Sequence, residues 1–444
     1  MSKKIRDWLF LIFIALFVLI TFFVSIYATG YSFKLGWPLR FNQIFQKTGM
    51  LIIDSEPSGA VVYLNGDRLR QSFLLDLGRS DTMTPNKIKN LAPGEYILRL
   101  EKEGYWPLEK KIMIYPGQTT FAEDFILFKR SLPLNLSLCS PQKIEISPDK
   151  KNIILPDDGT AINLKTEVKS DLGKPSSDGK IQWSKDGAQV LFGGKLFNLE
   201  GKQGAYDLSQ LGKEASNFYW DENAKKIYYQ ADKQISCVLT ENNTVSTILS
   251  GSDYAAYTVY KNLIYTIERQ EGKMYLKIYD ANTSILQNSL NLPTGDYNFF
   301  QDEYRLNLYD RKQKSLYLLN DYANQPINKQ LRPVSSWQWL SSSLLMWYND
   351  FEIYVFDANS SRQELLARVS DALTGVVWNR SKNYLVYSDA KKIKIINLSL
   401  DKKTPIILLE AEEISNLSLD EKNQLLYFYA KIGQQAGIYK LQLQ

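Results

Sequence analysis

Hydrophobic and polar residues alternate along this chain in three different ways. An unbroken apolar run lies near the N-terminus. Short strand-like patterns punctuated by Gly, Pro and Asn follow it, and from about residue 131 apolar bursts return at a nearly constant interval. The first run, Trp8 to Tyr27, holds 20 residues and no charge. At 1.5 Å rise per residue it predicts a helix of roughly 30 Å, the thickness of a bilayer's hydrocarbon core. It is apolar on every face, which separates it from an amphipathic surface helix. It also exceeds the ~7–15 apolar residues of a secretory signal, although Ala28-Thr29-Gly30 offers small residues at a cleavage-like spacing. The expectation is a retained signal-anchor. Lys3, Lys4 and Arg6 before the span favour a cytoplasmic N-terminus, and Lys34, Arg40 and Lys47 after it weaken the contrast. No second run of comparable length follows, so one span is expected.

Beyond a linker rich in aromatics (Tyr31, Phe33, Trp37, Phe41, Phe45), Met50–Ile53 and Ala60–Leu64 read as strands joined by the turn Ser55–Gly59. Asn65-Gly66 closes the second strand, a pair that tolerates the positive φ of a tight hairpin. Lys87–Leu91, Glu95–Leu100, Glu109–Tyr115 and Thr120–Phe128 continue the series, and Glu95–Leu100 alternates as a half-buried strand does. The pattern predicts a small β-sandwich.

The landmarks of this segment resemble the PEGA domain. Pro57-Ser58-Gly59-Ala60 followed by Val61-Val62-Tyr63-Leu64-Asn65-Gly66 is similar to its signature, with Ser in place of the name-giving Glu. Thr84-Pro85, Leu91-Ala92-Pro93-Gly94-Glu95-Tyr96 and Gly104-Tyr105 match later landmarks in the same order, over about residues 49–128. Residues 67–83 depart from the pattern, which has a much shorter turn there. The resemblance implies a small extracytoplasmic module of adhesion or envelope contact, often found beside membrane anchors, with no catalytic residues. Each landmark also has a structural role: Gly permits a turn, Pro fixes φ and Tyr packs.

The third region repeats itself. Ile146-Ser147-Pro148-Asp149, Trp183-Ser184-Lys185-Asp186-Gly187, Trp220-Asp221-Glu222-Asn223, Tyr260-Lys261-Asn262, Phe300-Gln301-Asp302, Trp339-Leu340-Ser341-Ser342, Trp378-Asn379-Arg380-Ser381 and Leu419-Asp420-Glu421-Lys422 align at steps of 37, 37, 40, 40, 39, 39 and 41. In each copy a strand ends in a large apolar residue, a polar turn follows, and further strands come after it. A period near 40 with several short strands is the mark of a β-propeller. Eight motifs predict eight blades, with seven as the competing count. The last copy ends after its third strand, so Pro133–Leu138 is expected to supply the missing outer strand and close the ring. The copies resemble TolB-like and WD40-like periplasmic propellers through the W-S-x-D-G turn at Trp183–Gly187 and partly at Trp378–Ser381, whereas the G-H and W-D pairs of true WD40 repeats are absent. Together the resemblances imply a bacterial, membrane-anchored protein.

Trp183, Trp220, Trp339 and Trp378 recur at one repeat position. Such a series can form a sugar-stacking ring or pack one repeat against the next, and the second is the expected use because repeats share their core positions. The turn Asp residues can bind cations or cap their own turns; capping is expected.

Composition narrows the chemistry. Aromatics reach 13% with 28 Tyr, in keeping with a strand-rich chain. With no histidine, Ser-His-Asp and Cys-His nucleophile systems and His-ligated metal sites are excluded. The net charge of +5 is mild, with neither a basic stripe nor a nucleic-acid motif; Glu109–Lys111 and Asp389–Lys392 read as solvated strand ends. Cys139 and Cys237 form no metal-binding or redox spacing and read as small buried hydrophobes, with a bond between them left open.

The expected architecture is mainly β. It comprises a cytoplasmic tail 1–7, a transmembrane signal-anchor 8–27, a linker 28–48, a PEGA-like domain 49–130 and a β-propeller 131–444. The expected function is non-catalytic: a single-pass, extracytoplasmic binding or scaffold protein that presents its propeller to a protein or a cell-envelope polysaccharide. No catalytic, cofactor-binding or metal-binding residue is assigned, no cofactor is expected, and no nucleic-acid partner. The alternatives are a glycosidase-like propeller hydrolase working with paired carboxylates and a quinone-dependent dehydrogenase. The S-x-D-x-G-x-T-W boxes of sialidases and the regular Trp motifs of quinone propellers are missing.

Overall fold

A computed structural model describes residues 3–28, 31–33, 45–72, 79–139, 144–173, 181–184, 187–199, 206–211, 215–220, 226–239, 242–301, 304–320, 325–400 and 404–444. The chain divides into two compact units, 1–132 with 397–404 and 442–444, and 133–396 with 405–441.

The first unit opens with the helix Lys3–Ala28, whose Trp8–Ser25 stretch is apolar enough to cross a membrane. Thr21 turns its hydroxyl back onto the Phe17 carbonyl at 2.8 Å, which satisfies the one polar group at mid-helix within the helix itself. A short hairpin follows, Tyr31–Phe33 antiparallel to Phe45–Lys47. Trp37 and Phe41 lie outside the described residues.

Residues 49–126 form two sheets packed face to face. Leu108–Ile114, Gly94–Glu101, Val61–Leu64 and Asp67–Arg68 make one; Thr119–Ile126, Gly49–Glu56 and Asn86–Leu91 make the other. Leu51, Ile53, Val62, Leu98, Leu100, Ile112, Ile114 and Phe125 fill the space between them. Burial alternates along each strand, as it must where only one face is covered. The pairing of Thr119–Ile126 with Gly49–Glu56 is parallel. Within the unusual 67–83 segment, Arg70–Ser72 pairs with Arg79–Asp81, so the described part of the extra length adds a second small β ladder.

In the second unit the described strands form eight four-stranded antiparallel sheets, spanning 145–171, 181–207, 216–250, 253–292, 297–331, 336–368, 375–410 and 413–442. They are called the first to eighth sheets below. The eighth takes its fourth strand from Leu134–Leu138, which pairs with Gln435–Gln442 in the register Leu134↔Lys440 and Leu138↔Gly437. Successive sheets share cores. Ile154 of the first packs with Val190 and Phe192 of the second. Tyr219 and Ile235 of the third meet Tyr257 and Ile264 of the fourth. Leu316 and Leu318 of the fifth meet Trp339 and Leu345 of the sixth. Tyr427 and Tyr429 of the eighth pack on Ile153 and Leu155 of the first, so the ring closes on itself. This is a β-propeller, and each aligned sequence motif begins at or next to the last residue of the first strand of its sheet.

Candidate functional site: a cleft between the fifth and sixth sheets

Inner strands of the sheets are largely apolar on both faces because a neighbouring sheet covers each side; Ser315–Leu319, Gly375–Asn379 and Tyr384–Ser388 are buried throughout. Most polar chemistry is therefore found at turns and connections. On the face built from the turns between second and third strands, Lys314, Pro333, Ser335, Asn349, Asp350, Phe351, Glu352, Arg368 and Val369 line a cleft.

Its geometry follows from one turn. Asn349 Oδ1 accepts from the backbone N–H of Phe351 at 2.9 Å and of Glu352 at 2.8 Å, which curls the turn and turns Phe351 outward. Asp350 accepts from Ser335 Oγ at 2.9 Å and lies 3.5 Å from Lys314 Nζ. Glu352 accepts from Arg368 Nε at 3.0 Å, Tyr354 OH at 2.8 Å and Asn349 Nδ2 at 3.1 Å. Tyr354 stacks on Trp347 with ring centroids 4.5 Å apart. Hydrogen bonds from Tyr354, Asn349 and Arg368 hold the Glu352 carboxyl at about 2. The cleft thus combines an aromatic ring that is 48% exposed with two carboxyl groups already held by donors. Such a surface can stack on and hydrogen-bond to a ligand. Glu352 is poised as an acceptor, not as a proton donor near neutrality.

Two other polar constellations lie in the same unit. Glu268 is fully buried and accepts from Lys277 Nζ at 2.9 Å, Tyr279 OH at 2.6 Å and Thr266 Oγ1 at 3.0 Å. Burial works to raise its carboxyl, and these hydrogen bonds outweigh it and hold the group below its ordinary value. Lys394 Nζ lies 2.8 Å from Asp389 and 3.2 Å from Asp371. Burial favours the neutral amine, but the two carboxylates raise its pKa overall. Both clusters tie strands of their own region together.

The recurrent tryptophans serve the inter-sheet cores. Trp339 is buried among Leu316, Leu318 and Leu345, donates Nε1–H to Asn307 Oδ1 of the preceding sheet at 3.2 Å, and lies 5.0 Å from the Arg305 guanidinium. Trp183 packs against Ile154 and Val190, and Trp220 against Leu191 and Ile227. Trp378 is buried. The turn acids cap turns. Asp149 accepts from Ser147 Oγ and the Lys151 N–H, and Asp420 from the N–H groups of Lys422 and Asn423. Asp186, Asp221 and Asp302 lie outside the described residues. Among the described residues no three His, Cys, Asp or Glu side chains gather around a metal-sized space. Cys139 and Cys237 are both free thiols.

The cleft residues escape a repeat-based reading because that reading attends to what the copies share. A signal was present nonetheless. Phe351 is the single aromatic residue among the turns joining second to third strands, where the other copies have Pro-Asp-Asp-Gly, Gly-Gly, Asp-Lys, Glu-Gly, Arg-Lys-Gln-Lys, Asp-Ala-Lys and Gly-Gln.

Comparison with known proteins adds one assignment. Residues 48–123 match the PEGA domain. The match covers the two-sheet sandwich of the first unit, and the strand order described above stands on its own beside it. No curated protein sequence matches the chain. Among solved structures the chain is similar to the Dos1 propeller (TM-score 0.46, 12% identity, covering 70% of this chain and 95% of that one). It is also similar to a eukaryotic initiation factor (0.45, 12%, 68% and 86%) and to the dihydro-heme d1 dehydrogenase NirN in complex with DHE (0.43, 11%, 68% and 73%). Likeness this distant says nothing of ligand or chemistry.

Proposed function

We propose that this protein is a non-catalytic binding or scaffold protein of a bacterial cell envelope. Its N-terminal helix spans the membrane once with the N-terminus in the cytoplasm, and the PEGA domain and propeller stand outside. The propeller offers its cleft face to a protein or an envelope polysaccharide. The observation that carries this reading is Phe351, an exposed ring on a turn fixed by Asn349 and flanked by side chains already in hydrogen bonds and ion pairs. A rigid aromatic with satisfied polar neighbours loses little order and little hydration on binding, which favours recognition. A glycosidase needs a carboxyl that stays protonated to serve as acid, and Glu352 is pushed the opposite way.

The test is retention of envelope components by purified full-length protein in detergent, compared with Phe351→Ala and Arg368→Ala. Loss of a retained component by at least tenfold in both variants is expected. Retention that neither variant changes would overturn the cleft as the binding face, and release of reducing sugar ends from envelope glycan would overturn the non-catalytic reading. For topology, a C-terminal tag should be cleaved by external protease on wall-stripped cells.

A further inference from the structure

The two ends of the PEGA domain differ in surface chemistry, and one of them is tied by a short run of chain to the membrane helix. Tyr31 pairs directly with Lys47. Three Cα–Cα steps lead from Ala28, the end of the helix, to Tyr31, a reach of at most ~11 Å, and a strand pairing adds ~5 Å. Lys47 therefore lies within about 16 Å of the helix end by chain geometry alone. If Trp8–Ser25 fills the hydrocarbon core, the end of the domain that begins at Lys47 lies within about 20 Å of the edge of that core, in reach of the lipid headgroups.

That end is built as a membrane-facing surface. Gly49 abuts Ile114 and Tyr115, so the 115–118 turn shares it. Phe121 is 65% exposed, Tyr115 53% and Met113 42%, and Phe121 lies opposite Ile52 in the parallel pair. Around them stand the exposed Lys47, Lys87, Lys89 and Lys111, of which Lys111 pairs with Glu95 at 2.5 Å. At the opposite end acidic residues outnumber basic ones: the exposed Asp54, Glu56, Glu103, Glu123 and Asp124 stand with the exposed Lys129 and Arg130, and Lys102 is directed onto the Ser58 carbonyl. Aromatic and Met side chains mixed with lysines are the chemistry of the lipid interface, and the basic end meets the negative surface of anionic lipids. The acidic end would be repelled from it.

We infer that the Lys47 end of the PEGA domain rests on an anionic phospholipid surface, inserting Phe121, Tyr115 and Met113 among the headgroups. The inference rests on the membrane-anchor reading and adds an orientation to it: the domain is held against the bilayer as a collar.

The experiment is hydroxyl-radical footprinting of the full chain in phosphatidylglycerol-containing nanodiscs, in phosphatidylcholine nanodiscs and in detergent. Met83, 46% exposed and bridged to Val61 at the opposite end, is an internal control of the same residue type as Met113. Oxidation of Met113, Tyr115 and Phe121 should fall at least threefold in anionic nanodiscs relative to detergent, with Met83 unchanged. The triple variant Lys47→Glu, Lys87→Glu, Lys89→Glu should restore it. Equal oxidation of Met113 and Met83 in protein that co-elutes with anionic nanodiscs overturns the collar and leaves the anchor standing. Failure to co-elute overturns both.

Discussion

The PEGA sandwich and the propeller are both built from β-sheets with apolar strands, yet they hide those strands differently. In the sandwich a strand such as Gly49–Glu56 or Leu108–Ile114 alternates buried and open positions, and one core gathered from two faces serves the domain. In the propeller Asn152–Leu155, Ser315–Leu319 and Tyr384–Ser388 are buried on both faces, and the core is divided among the sheet-to-sheet contacts. The sandwich is complete when its two sheets meet. A propeller sheet has two neighbours and is incomplete until both are present, so stability belongs to the ring rather than to any sheet.

The strongest way to test that contrast is to open the ring. Gly437 lies opposite Leu138, and a Cβ there would stand 2.1 Å from the Ser137 carbonyl oxygen. Deleting 131–138, or making Gly437→Val, should cost on the order of 3 kcal/mol or more, since several ladder bonds at about 1 kcal/mol each and the Leu136 packing are lost. Calorimetry should show the whole propeller transition moving down while the PEGA transition stays in place. An unchanged propeller melting temperature would refute closure by this strand.

Charge pairs should separate the regions next. Glu268→Gln removes the buried partner of Lys277 and should destabilise the propeller by about 3 kcal/mol. Glu109→Gln, which breaks the exposed 3.3 Å pair with Arg99 on the sandwich, should cost less than about 1 kcal/mol in the same chemical denaturation assay. Similar losses at both sites would erase the distinction.

The smallest expected effect is on acid stability. The carboxyls of Glu352, Glu268 and Asp389 have folded pKa values below their ordinary ones, through the hydrogen bonds and lysine or arginine partners that outweigh burial where burial opposes them. Depressed values mean that the unfolded chain takes up protons first as pH falls. Their stabilisation is present above the ordinary carboxylate range and is lost on descent through it; for Glu352 the loss runs from about 4.5 to about 2. In Glu352→Gln the propeller's melting temperature should fall less steeply over that window, and an identical slope would count against the assignment.

What could be read in advance follows the same physics. Trp8–Tyr27 and the turn series from Ile146 to Leu419 are legible because burial leaves long apolar runs or large residues at fixed steps. The outermost propeller strands, such as Lys169–Asp171, Val245–Ser250 and Arg362–Arg368, face solvent and carry mostly polar residues, so they have little signal of their own. The parallel pairing of Thr119–Ile126 with Gly49–Glu56 depends on contacts about 70 residues apart, which no local pattern encodes. The cleft was hidden for the opposite reason: Phe351 breaks the pattern of its counterparts, and a search for repetition passes over what differs.

The strand at 134–138 also fixes an order of events during synthesis. Its partner, 435–442, follows every other strand of the ring in chain order, so for most of the time that the propeller emerges it is an open arc with pairing edges at both ends. Any product cut short before 435 keeps that open state. The latch therefore ties closure to synthesis through 442, because only a chain that carries both 134–138 and 435–442 can pair the two into a closed ring.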